Sequence, residues 1–175
     1  TQNAMTVRAL WLAGRWLTVT GVGYGPEGQI LEDDRPVPHP VDADLRQVLV
    51  AAGLCNDARV LSPNTTAPQW TALGDPTEAA LRVVASKGGI DLDAEAQRTP
   101  RRRELPFDAR RKRMSTIHAV GEPACGRLLV CVKGAPREVL ALCTRVLWHG
   151  QECPLDPAAR AQILAANDAA ARRGL

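Results

Sequence analysis

A chain of 175 residues that is 45% hydrophobic and 23% charged has the make-up of one globular domain with a real core. No run approaches the roughly 18 consecutive apolar residues of a membrane span, and no charged-then-apolar leader opens the sequence. The net charge of +3 is mild, and five cysteines with no C-x-x-C pair argue against a disulfide framework and read as small buried hydrophobes of a reducing compartment.

Residues 7–12 and 15–20 are β-rich runs around Ala13-Gly14, which predicts a hairpin. A Gly/Pro stretch over 21–28 and an acidic, Pro-rich loop to Pro40 follow. Leu45, Val48, Leu49 and Ala52 repeat at helical spacing, so 42–54 reads as an amphipathic helix capped by Asp42. The clearest start signal is Asp75-Pro76-Thr77-Glu78: Asp75 as N-cap, Pro76 in the first turn, and Glu78 completing a variant of the capping box. That helix stops at Gly88-Gly89, and a shorter one is expected near 93–97.

Thr99-Pro100 opens a basic segment. Residues 112–120 and 127–132 read as the strands of a second hairpin turning through 121–126, and 136–142 as a short helix. A strand around 145–148 precedes a last helix that starts at Asp156-Pro157, buries Ala159, Ile163, Ala166 and Ala170, and stops at Gly174. Hairpins interleaved with helices predict an α+β fold in which an antiparallel β-sheet is flanked by helices, in a single domain over 1–175. The start at Thr1 and stop at Leu175 fit a piece of a longer chain.

Two tempting patterns carry little. Gly23-Tyr24-Gly25-Pro26-Glu27-Gly28 spells G-x-G-x-x-G, but no helix begins in it, and Leu31-Glu32-Asp33-Asp34 would repel phosphate; it reads as a turn between strands. His149 and Cys153 lie four apart, yet Gly150 and Pro154 break any helix that would bring them together on zinc, so no metal site is assigned.

Three segments do combine into one chemistry: Gly74-Asp75-Pro76-Thr77-Glu78, then Leu105-Pro106-Phe107 with Arg111-Lys112-Arg113-Met114-Ser115, and Lys133-Gly134-Ala135-Pro136. Phe107, the only phenylalanine, sits in a polar connection and can stack on a purine. Lys112 and Lys133 are two of only three lysines against 19 arginines, which points to a compact ammonium at those places. Gly134 leaves room for a ligand against the backbone, and Glu78 can accept from an amino group. Taken singly, Glu78 reads as a helix cap, Phe107 equally as core, Lys133 as a solvated strand end and Met114 as core filler. The residues alone stop at an anion or nucleotide binder.

Taken in order, the segments resemble the type II P-type ATPases, the calcium, sodium/potassium and proton/potassium pumps. In that family the phosphorylated aspartate lies in Asp-Lys-Thr-Gly-Thr-Leu-Thr-Gln-Asn-x-Met-Thr, and this chain opens Thr1-Gln2-Asn3-Ala4-Met5-Thr6. Leu54-Cys55-Asn56-Asp57-Ala58 and the three segments above follow in family order. The resemblance implies the nucleotide-binding domain of such a pump, a cytoplasmic domain of an integral membrane protein. Phe107 would then stack on the adenine of ATP and Glu78 meet its amino group. Lys112 and Lys133 would line the base and phosphate side, with Met114 and Gly134 as walls.

The resemblance also implies ATP with Mg²⁺ in the full-length pump, the phosphorylation and actuator domains of the same chain as partners, and no catalytic residue in this stretch, which should bind ATP weakly and hydrolyse none. Ala109 stands where some members place a phosphate-binding arginine, with Arg110 and Arg111 as substitutes. Arg137 replaces an acid common after the proline. The rival from another class is a basic nucleic-acid-binding module, since Arg98, Arg101–Arg103 and Arg110–Arg113 gather eight cations near one aromatic. Glu104 and Asp108 interrupt that run, and a solvated charged face explains it as well, so nucleic acid is not expected as a partner.

Overall fold

The computed structural model describes residues 4–65, 67–121 and 126–174. Thr1 to Asn3 of the opening motif, most of the expected turn over 121–126, Cys125 and Leu175 lie outside the described residues.

The first unit is an antiparallel sheet in the order β1-β2-β3-β4: β1 (Ala9–Leu12), β2 (Arg15–Val19), β3 (Ile30–Glu32) and β4 (Arg35–Pro36). The expected first hairpin is there, with Ala13 at φ 48° and Gly14 at φ 82°. This is the doubly left-handed turn whose twist matches paired strands. The second hairpin falls where the sequence reads as loop. It turns on Asp33 (φ 48°) and Asp34 (φ 60°), a pair without glycine that tolerates the left-handed region because a short carboxylate bonds locally. The glycine motif is the β2–β3 connection. It is closed by Thr20 N–H to the Gln29 carbonyl (2.9 Å) and by buried Lys87, whose Nζ donates to the Thr20 carbonyl (2.7 Å).

Helix α1 (Ala43–Leu54) is capped by the Asp42 carboxylate, which accepts from Leu45 N–H at 3.0 Å. Its buried surface is wider than a single stripe. Leu45 and Leu49 pack with Leu17, Val19, Ile30 and Val84 over the first sheet, while Val50 and Leu54 pack with Cys55, Met114 and Cys131 on another. Val48, expected inside, is 41% exposed, because a helix held between two sheets turns a different edge to water than one packed on a single face.

After α1 come the short pair β5 (Arg59–Leu61) and β6 (Thr71–Leu73), then α2 (Pro76–Lys87) and α3 (Leu92–Arg98). Next is the sheet β7-β8-β9: β7 (Arg101–Asp108), β8 (Arg113–Ala119) and β9 (Leu128–Gly134). The chain closes with α4 (Pro136–Leu140), the hairpin β10 (Arg145–Trp148) with β11 (Gln151–Pro154), and α5 (Pro157–Arg172). The Asp156 carboxylate caps α5 by accepting from Ala159 N–H at 2.7 Å. The face of α5 expected in the core is only half-buried, with no fully buried residue; Arg173, just beyond it, lies 5.2 Å over the Trp16 ring.

Helices and antiparallel strands are thus mixed as expected for α+β, but the strands fall into four sheets among the described residues instead of one. None of the helices found is long and apolar enough to cross a membrane.

Candidate functional site

Asp75 caps α2 as its position predicts, accepting from Thr77 N–H (2.8 Å) and Glu78 N–H (3.2 Å), and these bonds hold its carboxyl below the usual range. Glu78 does not return the bond, so the capping box is half made. Its carboxylate instead crosses to the stretch after α1. One oxygen accepts from Asp57 N–H (2.8 Å) and Ala58 N–H (3.2 Å), and the other from Lys133 Nζ (2.5 Å). Lys133, near the end of β9, donates as well to the Cys55 carbonyl (2.5 Å). Both side chains are mostly withdrawn from water, 14% exposed for Glu78 and 24% for Lys133.

Burial on this scale makes the pair different from a surface ion pair. Desolvation is offset only because two backbone N–H groups and a carbonyl join it.

Beside the pair opens a cavity of about 530 Å³, lined by Asp75, Thr77, Glu78, Leu81, Phe107, Lys133 and Gly134. Its size is in the range of small-molecule sites, and its wall joins apolar surface to two acids, Asp75 and Glu78, and one ammonium. Phe107 is not in a connection but near the end of strand β7, and it is 64% exposed. Asp75 and Thr77 belong to the Gly74–Glu78 segment that the sequence marks, whereas Leu81 is missed there. Its signal is the i, i+3 spacing of 75, 78 and 81, which puts one side of a helix start toward one place.

Gly134 is set by close approach, not by its backbone angles. A Cβ there would lie 2.3 Å from the Lys112 carbonyl oxygen and 2.6 Å from the Arg113 Cβ. The neighbouring Ala135 N–H donates to that same Lys112 carbonyl at 3.0 Å, so the start of α4 is laced to the β7–β8 turn. In that turn Asp108 accepts from Arg110 N–H (3.0 Å) and Arg111 N–H (2.8 Å), and Lys112 adopts φ 52°.

Two expected site residues lie apart from the cavity lining. Lys112 directs its Nζ to Glu138 of α4 at 3.0 Å, both side chains being exposed. Met114 is 2% exposed and packs with Val50, Leu54, Cys55 and Cys131, on the face of β8 turned to α1. Strand alternation explains the latter: Met114, Thr116 and His118 share one face, and their pairing partners Lys133, Cys131 and Leu129 share it too. Lys133 reaches the cavity because it is long; Met114 fills the core beneath.

Thiols there are inert. Burial, with Cys55 alongside, pushes Cys131 up to about 11, and burial likewise raises Cys55.

The basic run is largely engaged inside the fold. Arg98 pairs with Glu95 (2.6 Å), Arg101 with Asp57 (2.6 Å) and Glu104 (2.8 Å), and the Arg111 guanidinium donates to the Pro106 carbonyl (3.0 Å). Arg111 therefore braces its own turn. Nothing supports the nucleic-acid alternative.

The cavity lies between a helix start and the ends of two strands of an α+β domain and has the size of a small-molecule site. The sequence model of the P-type ATPase cytoplasmic domain N matches residues 44–175, and this chain belongs to that family. It is 36% identical over its whole length to the probable cation-transporting ATPase F of Mycobacterium tuberculosis (strain H37Rv), of which it covers 18%. It is 31% identical, over 86% of its length, to a calcium-transporting ATPase of Bacillus subtilis, covering 16% of it. It is also 34% identical, over 89% of its length, to calcium-transporting ATPase type 2C member 1 of Bos taurus, covering 15%. The chain therefore corresponds to the N domain of cation-transporting P-type ATPases and spans less than a fifth of each of these relatives' length.

Proposed function

We propose that this domain binds ATP by its adenine and presents the γ-phosphate to an aspartate on a phosphorylation domain of a cation-transporting pump. The observation that carries the reading is the Glu78–Lys133 pair at the wall of a cavity that Phe107 also lines. Lys133 has three N–H donors and uses two, on Cys55 and Glu78, so one remains. The Glu78 carboxylate has about four lone-pair sites, three of them filled by Asp57, Ala58 and Lys133, so one remains there too.

A free donor beside a free acceptor complements the edge of adenine, where a ring nitrogen accepts and the amino group donates. Phe107 and Leu81 offer the apolar surface that a purine face needs. Gly134 keeps the strand end bare.

Phosphoryl transfer would then depend on positioning across a hinge between domains, with the actuator and phosphorylation domains of the same chain as partners in a membrane pump. ATP here is substrate. Mg²⁺ would accompany its phosphates; among the described residues no three His, Cys, Asp or Glu gather to hold a metal. The domain itself binds ATP without hydrolysing it.

Titration with ATP, followed by amide chemical shifts, tests the reading. Shifts should concentrate at Glu78, Leu81, Phe107, Lys133 and Gly134, and Phe107→Ala should abolish most of them. Shifts scattered over the arginine-rich surface, unaffected by Phe107→Ala, would sink it.

A further inference from the structure

The Glu78 and Lys133 side chains are held by backbone that has no regular structure of its own. Their partners are the Cys55 carbonyl and the Asp57 and Ala58 N–H groups, in the stretch between the end of α1 at Leu54 and the start of β5 at Arg59. Four residues without a ladder do not fix two charged groups unless something fixes them.

The side chain that does so comes from β7. One Arg101 nitrogen, Nη2, donates to the Leu54 carbonyl (2.9 Å) and the Asn56 carbonyl (2.7 Å); the other, Nη1, donates to Asp57 (2.6 Å) and Glu104 (2.8 Å). The carbonyls on either side of Cys55 are thereby turned to Arg101, and the Cys55 carbonyl between them is aimed at Lys133. Asn56, itself buried, completes the hold from inside. Its amide donates to the Ala52 carbonyl (3.2 Å) and the Glu78 carbonyl (2.8 Å), and its oxygen accepts from Ala58 N–H (3.0 Å).

We propose that Arg101 is a positioning residue of the nucleotide site: by clamping residues 54–57 it sets the remaining donor of Lys133 and the remaining acceptor of Glu78 at the spacing of the adenine edge. Arg101 does not line the cavity, so it acts only through the loop. The role needs an arginine. A planar fork can serve four acceptors in fixed directions, whereas an ammonium has three donors around one point. The inference rests on the nucleotide-binding reading, and β7 would then supply both the stacking ring, Phe107, and the clamp that aims the base contacts.

The experiment compares ATP with purine riboside triphosphate, which lacks the 6-amino group, by calorimetric titration of the protein and its Arg101→Lys and Glu78→Gln variants. Loss of a charge-assisted hydrogen bond makes the unmodified protein prefer ATP by about tenfold or more. Arg101→Lys is expected to cut that preference to about threefold or less, weakening ATP more than purine riboside triphosphate, which keeps only the ring nitrogen that Lys133 would meet. Adding Arg101→Lys to Glu78→Gln should then change the preference no further, the mark of two residues acting through one contact.

An unaltered preference in Arg101→Lys, or equal weakening toward both nucleotides, overturns the positioning role. Should Arg101→Lys not fold, Arg101→Gln, which keeps a planar donor without the charge, is judged on the same ratio. Failure of the unmodified protein to bind either nucleotide overturns the nucleotide-binding reading itself, separately from the clamp.

Discussion

Lys133 and Lys112 were expected to serve the same ligand, and the fold treats them in opposite ways. Lys133 rises from an inward strand position into a half-buried carboxylate, a carbonyl and a cavity wall. Lys112 sits in a turn with φ 52° and reaches an exposed acid, Glu138. One cation is built in; the other is a surface partner that a ligand could exchange. The difference teaches that the Glu78–Lys133 wall of the cavity is preorganised by the core, whereas the end toward α4 is set by a pair that water already weakens.

The sharpest way to break this comparison is at Lys133. Lys133→Met strands the Glu78 carboxylate and the Cys55 carbonyl, and the expected loss of stability is about 2–4 kcal/mol by urea unfolding, together with loss of ATP binding. Stability unchanged within error would show the pair to be no more than a surface contact. Phe107→Ala separates function from folding. An exposed ring contributes about 0.5 kcal/mol or less to stability, whereas the lost stacking should weaken ATP by about tenfold or more. Equal losses in both would place Phe107 in the core after all.

A pH series tests the buried layer beneath. The Thr99 carbonyl can only accept, so His118 carries its proton on Nδ1 (2.9 Å), and Nε2 accepts from the Thr116 hydroxyl (2.8 Å). This is a neutral ring with both nitrogens occupied, and burial, with Arg101 assisting, holds its pKa below the ordinary 6.5. The unfolded chain then binds a proton before the folded one does. Stability should be fully present above about pH 6.5 and fall as pH drops from there toward the lower folded value. In His118→Gln that component of the acid loss should be absent, and an identical pH curve would refute the assignment.

The smallest effect is expected at the exposed pair. Glu138→Gln should change stability by about 0.5 kcal/mol or less and, by releasing Lys112, tighten ATP about two- to threefold at low salt, with the gain fading as salt is added. Weaker binding would mean that the pair shapes the site instead of competing with it.

What was legible in the sequence was local. Asp42, Asp75 and Asp156 cap their helices as read, because a cap is decided within three residues. The Asp33-Asp34 hairpin was hidden because its turn lacks the glycine that usually announces one. Phe107 was read as loop because Pro106 precedes it, yet β7 continues through both. The clamp was out of reach altogether: Arg101 meets Leu54, Asn56 and Asp57 across 44 to 47 residues, and nothing in a run of arginines says which one turns inward. Met114 shows the reverse case, where the plain reading as core filler describes its packing and the family pattern alone had suggested a wall.

Gly134 carries a last consequence. By accessibility it is a surface residue, and most surface positions accept most substitutions. Yet the space beside its α-carbon is already taken by the Lys112 carbonyl and the Arg113 side chain. In a saturation-mutagenesis map, position 134 would therefore score like the centre of the core, and even alanine would register as a defect. A survey that ranks tolerance by exposure would misplace it.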